Sequence, residues 1–267
     1  MKKSVLILYC MVMAICSCAQ DSISVIYRHS YRFCEEVPGI SEELCVLDMT
    51  SSMSHFYSKD FERSSDLTDS LSRRGMSAAE VISAKKKEGL NTSTTSTNVY
   101  KNYPEEGKIT VTEYLAGLYK YEEDMPRLHW ILEEGDTVIA GYRCFRASTI
   151  YRGRTWMVCY APDIALNDGP WKLCGLPGLI LYALDSQGYF KYDCVGIKAG
   201  LSKPIRLRGG RYNQCDAQQM AKLLLLKGKD LDELFYRATG TRIQHYDTNG
   251  KPMKLDMPLT ICLKERF

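Results

Sequence analysis

The residues able to do chemistry are few and scattered. Arg152 and Arg154 flank Gly153. Two guanidiniums at a hairpin tip can hold a carboxylate or phosphate in bidentate fashion; the plainer reading is a solvated turn. Trp130, Tyr142, Trp156 and Trp171, with His129, Tyr151 and Tyr160 near them in sequence, would line a ligand pocket if they shared a face. Aromatic residues at strand positions more often fill a core. Cys144 and His129 could pair in space as thiol and base for a thiol-dependent hydrolase; a buried strand cysteine is the competing reading. The chain carries no HExxH, GxSxG, P-loop or GxGxxG pattern. Its four histidines, His29, His55, His129 and His245, are too dispersed in sequence to suggest a metal site. The expectation is a non-enzymatic chain without cofactor or metal, with the Cys144 hydrolase as the alternative and a purely structural protein as a third reading.

Eleven cysteines invite a redox reading. Cys10, Cys16 and Cys18 fall in the N-terminal segment. Cys34, Cys45, Cys144, Cys159, Cys174, Cys194, Cys215 and Cys262 remain. No CxxC occurs, so a zinc site is not indicated. Cys144 and Cys159 lie on either side of the Arg152-Gly153 turn. A turn centred on Tyr151-Arg152 sets them opposite each other, within reach of a disulfide; a shift toward Gly153 separates them. Otherwise these thiols act as small hydrophobes.

Structural motifs are clearer. Gly175, Leu176, Pro177, Gly178, Leu179 and Ile180 present no nucleophile, acid or ligand. Leu176-Pro177-Gly178-Leu179 fits a type II turn, with proline presetting φ and glycine supplying positive φ. Leu179-Ile180-Leu181 then offers apolar side chains to both faces, as an interior strand does. A backbone anion site at the hexapeptide is the functional rival. Asp168-Gly169-Pro170-Trp171 reads as a second turn, with Asp168 bonded to local amides.

The elements around these motifs are strands and a few helices. Ser22–Phe33, Leu44–Thr50, Ile109–Tyr114, Ala116–Tyr121, Leu128–Leu132, Thr137–Ile150, Thr155–Ala161, Leu179–Leu184 and Tyr189–Ile197 read as strands. The stretch from Leu67 to Glu88 has helical spacing broken at Gly75, and its Lys85-Lys86-Lys87 end suits a helix C-terminus. Cys215–Tyr236 reads as an amphipathic helix interrupted at Gly228. The expected fold is mainly β (α+β): a curved antiparallel meander packed by one or two helices, a shape similar to the bacterial lipoprotein carriers.

The start of the chain reads as an export signal. Lys2 and Lys3 precede an apolar run from Val5 to Cys16, too short for the about 20 residues a spanning helix needs. Residues 1–19 would be removed, leaving Gln20 first and residues 20–267 as one domain with a helical elaboration at about 67–98. Ile15-Cys16-Ser17-Cys18 equally resembles a lipobox, in which Cys18 is lipidated and the membrane is reached only through that anchor. The formal net charge is +3; losing Lys2 and Lys3 leaves the rest near +1, with no basic block for nucleic acid.

The stretch Asp136 to Ile197 resembles the GLPGLI family of Bacteroidetes proteins, also called Porph_ging. The resemblance rests on Trp130, Gly141-Tyr142-Arg143-Cys144, Arg152-Gly153-Arg154, Asp168-Gly169-Pro170 and the hexapeptide Gly175 to Ile180, in that order. It implies an exported periplasmic or outer-membrane-associated protein, a binding or accessory module near TonB-dependent receptors. Its partners would be an outer-membrane receptor or other envelope protein, and an apolar ligand. The family supplies no accepted catalytic residues.

Overall fold

The computed structural model describes residues 22–90, 95–242, 244–247, 249–253 and 259–267. The expected signal segment and Cys18 lie outside them. One sheet of twelve strands dominates, in the order β12-β6-β5-β4-β3-β2-β1-β11-β10-β9-β8-β7. Six strands form a first meander: β1 (Ser22–Tyr31), β2 (Ser41–Thr50), β3 (Ser54–Ser58), β4 (Asn98–Lys101), β5 (Lys108–Tyr114) and β6 (Leu118–Asp124). Five form a second: β7 (Ile131–Ile139), β8 (Tyr142–Tyr151), β9 (Arg154–Ala161), β10 (Leu179–Asp185) and β11 (Phe190–Ala199). The two join where β1 pairs antiparallel with β11. A short β12 (Asn213–Gln214) adds parallel to β6. The expected mainly β architecture is therefore present, as a mixed sheet built from two meanders rather than one.

Helices cover both faces. α1 (Lys59–Arg73) starts at Ser58, whose side chain accepts from Phe61 N; α2 (Ala78–Lys87) starts with a reciprocal Ser77–Glu80 capping box. The helical insertion thus begins eight residues before Leu67, because Ser58 supplies the cap directly after β3. Glu62, Asp66 and Asp69 on α1 meet Lys203 and Arg208, fastening the helix to the segment after β11. α3 (Ala217–Lys229) and α4 (Leu231–Thr239) pack on the other side. Gly228 does not interrupt α3; the chain breaks at Asp230, which caps α4 through Glu233 N at 2.9 Å. A Cβ at Gly228 would sit 2.5 Å from Leu259 O, so the glycine lets the C-terminal segment cross the helix. A two-stranded ribbon, β13 (His245–Tyr246) and β14 (Pro252–Met253), stands apart from the main sheet.

Thr137–Ile150 is not one strand. Ala140 and Gly141 take φ of 51° and 86°, and Ile139 pairs with Tyr142 across a tight hairpin. This turn makes β7 the free edge, where Ile131, Leu132 and Val138 are exposed. The next hairpin is centred on Arg152 and Gly153, with φ of 49° and 71°. Tyr151 faces Arg154, so Cys159 faces Arg146 and not Cys144. The two cysteines are displaced by two positions, beyond bridging distance, and all eight described cysteines are free thiols.

β10 is an interior strand between β9 and β11, and Leu179, Ile180 and Leu181 are fully buried. The turn before it differs from the expected type II. Gly178 N donates to Leu176 O at 2.8 Å, closing a three-residue turn on Pro177, while Leu179 N reaches Ile164 O at 3.1 Å. Gly178 has φ of 150°, and a Cβ there would lie 2.4 Å from Ala161 O. Backbone-to-backbone closeness, added to positive φ, makes glycine obligatory. Gly178→Val should lower unfolding free energy by roughly 3 kcal/mol, from strain and overpacking together. Urea denaturation checks this, and an unchanged midpoint would remove the account of the turn.

Candidate functional site

The sheet curls until its flanks are near each other. Residues 162–178, between β9 and β10, bridge from the second meander to the first. Lys101 on β4 is 1% exposed. Its Nζ donates to Asp168 Oδ1, to Gly169 O at 2.7 Å and to Leu173 O at 3.3 Å. Lys172 is fully buried and donates to Tyr121 OH at 2.8 Å, to Glu123 at 2.5 Å and to Glu265. Both lysines satisfy a charge that burial would otherwise penalise.

The C-terminal segment is then tied across the curl. Cys262 N donates to Phe33 O at 3.0 Å, and Arg266 N to Arg152 O at 2.9 Å. Arg154 grips Leu263 O from Nε at 2.9 Å and from Nη2 at 2.6 Å, and pairs with buried Asp185 at 2.5 Å. Between this segment, α3 and the inner sheet face lies a cavity of about 140 Å³. Tyr31, Val111, Tyr121, Trp171 and Phe190 form its floor, and Met220, Ala221 and Leu224 of α3 its roof. Its charged lining is Arg32, Glu113, Lys227, Lys264 and Glu265.

Each charged group has a distinct status. Glu265 serves Lys172. Glu113 accepts from Ser96 Oγ and, at 2.5 Å, from Thr97 Oγ1; burial raises its carboxyl above the ordinary range. Lys264 lies over the rings of Phe190 and Tyr192, 5.6 and 5.5 Å from their centroids. Burial lowers its amine below the ordinary lysine range, with Cys45, Glu43, Glu113 and Glu265 opposing that shift.

Beneath the cavity is a buried polar cluster. His29 Nδ1 contacts Glu43 Oε1 at 2.9 Å, and Thr95 donates to Glu43 from N at 3.1 Å and from Oγ1 at 2.5 Å. His29, Glu43 and Cys45 bring ligand-type atoms within 4.8 Å of one another. Strand register produces this convergence, since His29 faces Glu43 across β1 and β2 and Cys45 is two residues further along the same face. Spacing along the sequence concealed it. The His29–Glu43 bond and the two Thr95 bonds occupy Glu43, so the trio is read as core support.

No family model matches the chain, and no curated protein matches it. Among solved structures, two chains of a protein called PNGF-II, from C2 and P21 crystal forms, are similar in fold. Each superposes with a TM-score of 0.51 at 13% identity over 76% of this chain. This chain spans about a third of their length, 32% and 33%. The likeness is one of architecture alone.

The expected site residues separate into groups. Arg152 and Arg154 do not await an external anion: Arg152 binds Glu123 at 2.5 Å and Arg154 binds Asp185 and the C-terminal segment. The hairpin tip packs against the C-terminal segment, with Arg154 on Leu263 O and Arg266 N on Arg152 O. Trp156 and Trp171 are core residues, 5.5 Å apart between ring centroids, with only Trp171 reaching the cavity floor. Trp130 donates from Nε1 to Cys174 O at 3.0 Å, holding the hexapeptide loop. Tyr142 is half-buried outside the cavity. Asp168 bonds Gly169 N at 2.6 Å, the local amide contact expected, and in addition receives Lys101. Cys144 is fully buried, its thiol pushed up to about 11, and donates to Tyr142 O; His129 is exposed and gives its carbonyl to Thr149. No hydrogen bond joins these two.

Two outcomes test this arrangement. Lys101→Met strands the Asp168 carboxylate and two carbonyls, and should cost roughly 3–5 kcal/mol in urea denaturation. A loss below one tenth of that would deny the lysine its bridging role. Second, burial keeps His55 neutral, its pKa lowered to about 3, and lowers that of His29 as well. Unfolded histidine takes a proton near pH 6.5, so the unfolded chain binds more protons below that value. Stability should fall from pH 7 to pH 5, by about 2 kcal/mol for each histidine. His55→Gln, which preserves a donor for Asn98, should reduce that slope.

Proposed function

We propose that this chain is an exported ligand-binding module of the bacterial envelope, which takes an apolar group of about one ring into the cavity beneath α3. The cavity carries the reading. Its about 140 Å³ compares with the 150 Å³ of an engineered apolar cavity that takes up benzene. Aromatic and aliphatic side chains make up most of its walls, with charged and hydroxyl groups among them, the usual composition of a small-molecule site. A second cavity of about 290 Å³ lies between α1 and the outer faces of β4 and β5. It is less suited to an apolar ring, because charged and hydroxyl side chains make up much of its lining, Glu62, Asp69, Lys85 and Arg208 among them.

The export reading rests on the N-terminal pattern and on the resemblance to the GLPGLI family, which also suggests an outer-membrane receptor or another envelope protein as partner. No helix among the described residues is long and apolar enough to cross a membrane.

The test uses 2-phenylethanol, a neutral molecule with one ring, and saturation-transfer NMR on the full mature chain. Wild type should show transfer to the phenyl protons. Ala221→Phe, which fills the roof of the cavity from a helix, should abolish it without loss of circular dichroism. Absence of transfer in wild type, or transfer that survives Ala221→Phe, would contradict the reading.

A further inference from the structure

One lysine at the cavity, the half-buried Lys264, is held differently from the two fully buried ones. Lys101 and Lys172 each have three acceptors. Lys264 has no hydrogen-bond acceptor or ion-pair partner among the described residues, although the chain on either side of it is firmly held. Cys262 and Leu263 before it, and Arg266 after it, are bonded to Phe33, Arg154 and Arg152 respectively. The segment therefore fixes the backbone of Lys264 beside the cavity, with its amine over the Phe190 and Tyr192 rings. Lys227, on α3, lines the same cavity and also has no ion-pair or side-chain hydrogen-bond partner among the described residues.

Acids nearby, Glu113 above all, act on these lysines at a distance, but none among the described residues forms an ion pair with either. Glu265 is committed to Lys172, with Arg152 at 4.0 Å. Glu43 is occupied by His29 and Thr95. Glu113 is held by two hydroxyls, and burial disfavours its charged form. Cys45 is a buried thiol raised well above its ordinary range. The other cation at the rim, Arg32, spends its donors on the carbonyls of Cys34 and Glu35, at 3.1 and 2.7 Å, and has no carboxylate. The cavity lining therefore carries more cations than unengaged acids, and a partly buried ammonium without an acceptor lacks the compensation given to Lys101 and Lys172.

We infer that the cavity binds a small organic acid, with its apolar body against Trp171, Phe190 and Leu224 and its carboxylate on the amine of Lys264, assisted by Lys227. This rests on the cavity being the binding site. A carboxylate would supply the acceptor that Lys264 lacks and gain a charge-assisted hydrogen bond in return. No bond is made or broken; the ligand brings its own negative charge.

Phenylacetate and 2-phenylethanol differ in little but that charge, so their relative affinity for the mature chain, measured by NMR titration, isolates the contribution of the amine. Wild type should bind phenylacetate about tenfold tighter or more, as expected for a hydrogen bond between charged groups. Lys264→Met should erase the preference, and Lys264→Arg should restore part of it. Lys227→Met should reduce it. Equal affinity of the two molecules for wild type would overturn this inference while leaving the cavity reading intact. A preference that survives Lys264→Met would overturn it too, moving the carboxylate elsewhere. Failure of both molecules to bind wild type would remove the cavity reading and this inference with it. The wild-type ratio decides the matter even if a variant does not fold.

Discussion

Charge enclosed by the curl of the sheet must be matched, and that requirement organises the fold. A strand sheet this wide has two flanks to bring together, and it does so with buried cations. Lys101 reaches from β4 to the loop before β10, Lys172 from that loop to β6, and Arg154 from β9 to the last residues of the chain. Each bridges elements far apart in sequence. A hydrophobic contact would favour closeness in any direction. A buried ammonium demands particular acceptors, and breaking one leaves an unpaired group inside.

Closure of this kind creates the cavity. The C-terminal segment passes over the inner face because Arg152 and Arg154 hold it at one end and Phe33 at the other. α3 completes the roof, with Gly228 allowing residue 259 to pass close by. What remains is space with aromatic walls and, in its lining, two lysines without acceptors among the described residues. Stability and function then depend on the same rule with opposite outcomes. Matched lysines hold the fold, and under the proposed function an unmatched one serves a ligand.

Local chemistry was legible in the sequence wherever it acted locally. The interior strand Leu179–Leu184 followed from three successive apolar residues after a Pro-Gly turn. The turn at Asp168 followed from its residue types, and the helices after β3 and before the C-terminus from their apolar spacing, but not the caps that start them, Ser58 and Asp216. Turn registers were less accessible: positive φ at Ala140 and at Arg152 is uncommon for these residue types, and each moved a boundary or a pairing. The disulfide expectation failed on that single-residue difference. The site was largely hidden. Lys101, Lys172 and Lys264 resemble ordinary surface lysines in sequence, since nothing within a few residues marks them as buried. His29, Glu43 and Cys45 converge only through strand pairing. Arg152 and Arg154 carried a visible signal, two cations at a turn, but the carboxylates they serve come from β6, β10 and the C-terminus.

The central claim is that Lys264, half-buried at the cavity, lacks among the described residues the acceptors that Lys101 and Lys172 have. Its most direct test is an NMR titration of the mature chain labelled at the lysine ε-carbons, with the resonance assigned through Lys264→Arg. The account predicts that the Lys264 signal titrates below the ordinary lysine range, and that added phenylacetate moves its midpoint upward. Co-titration of Lys264 with the surface lysines, indifferent to phenylacetate, would contradict it.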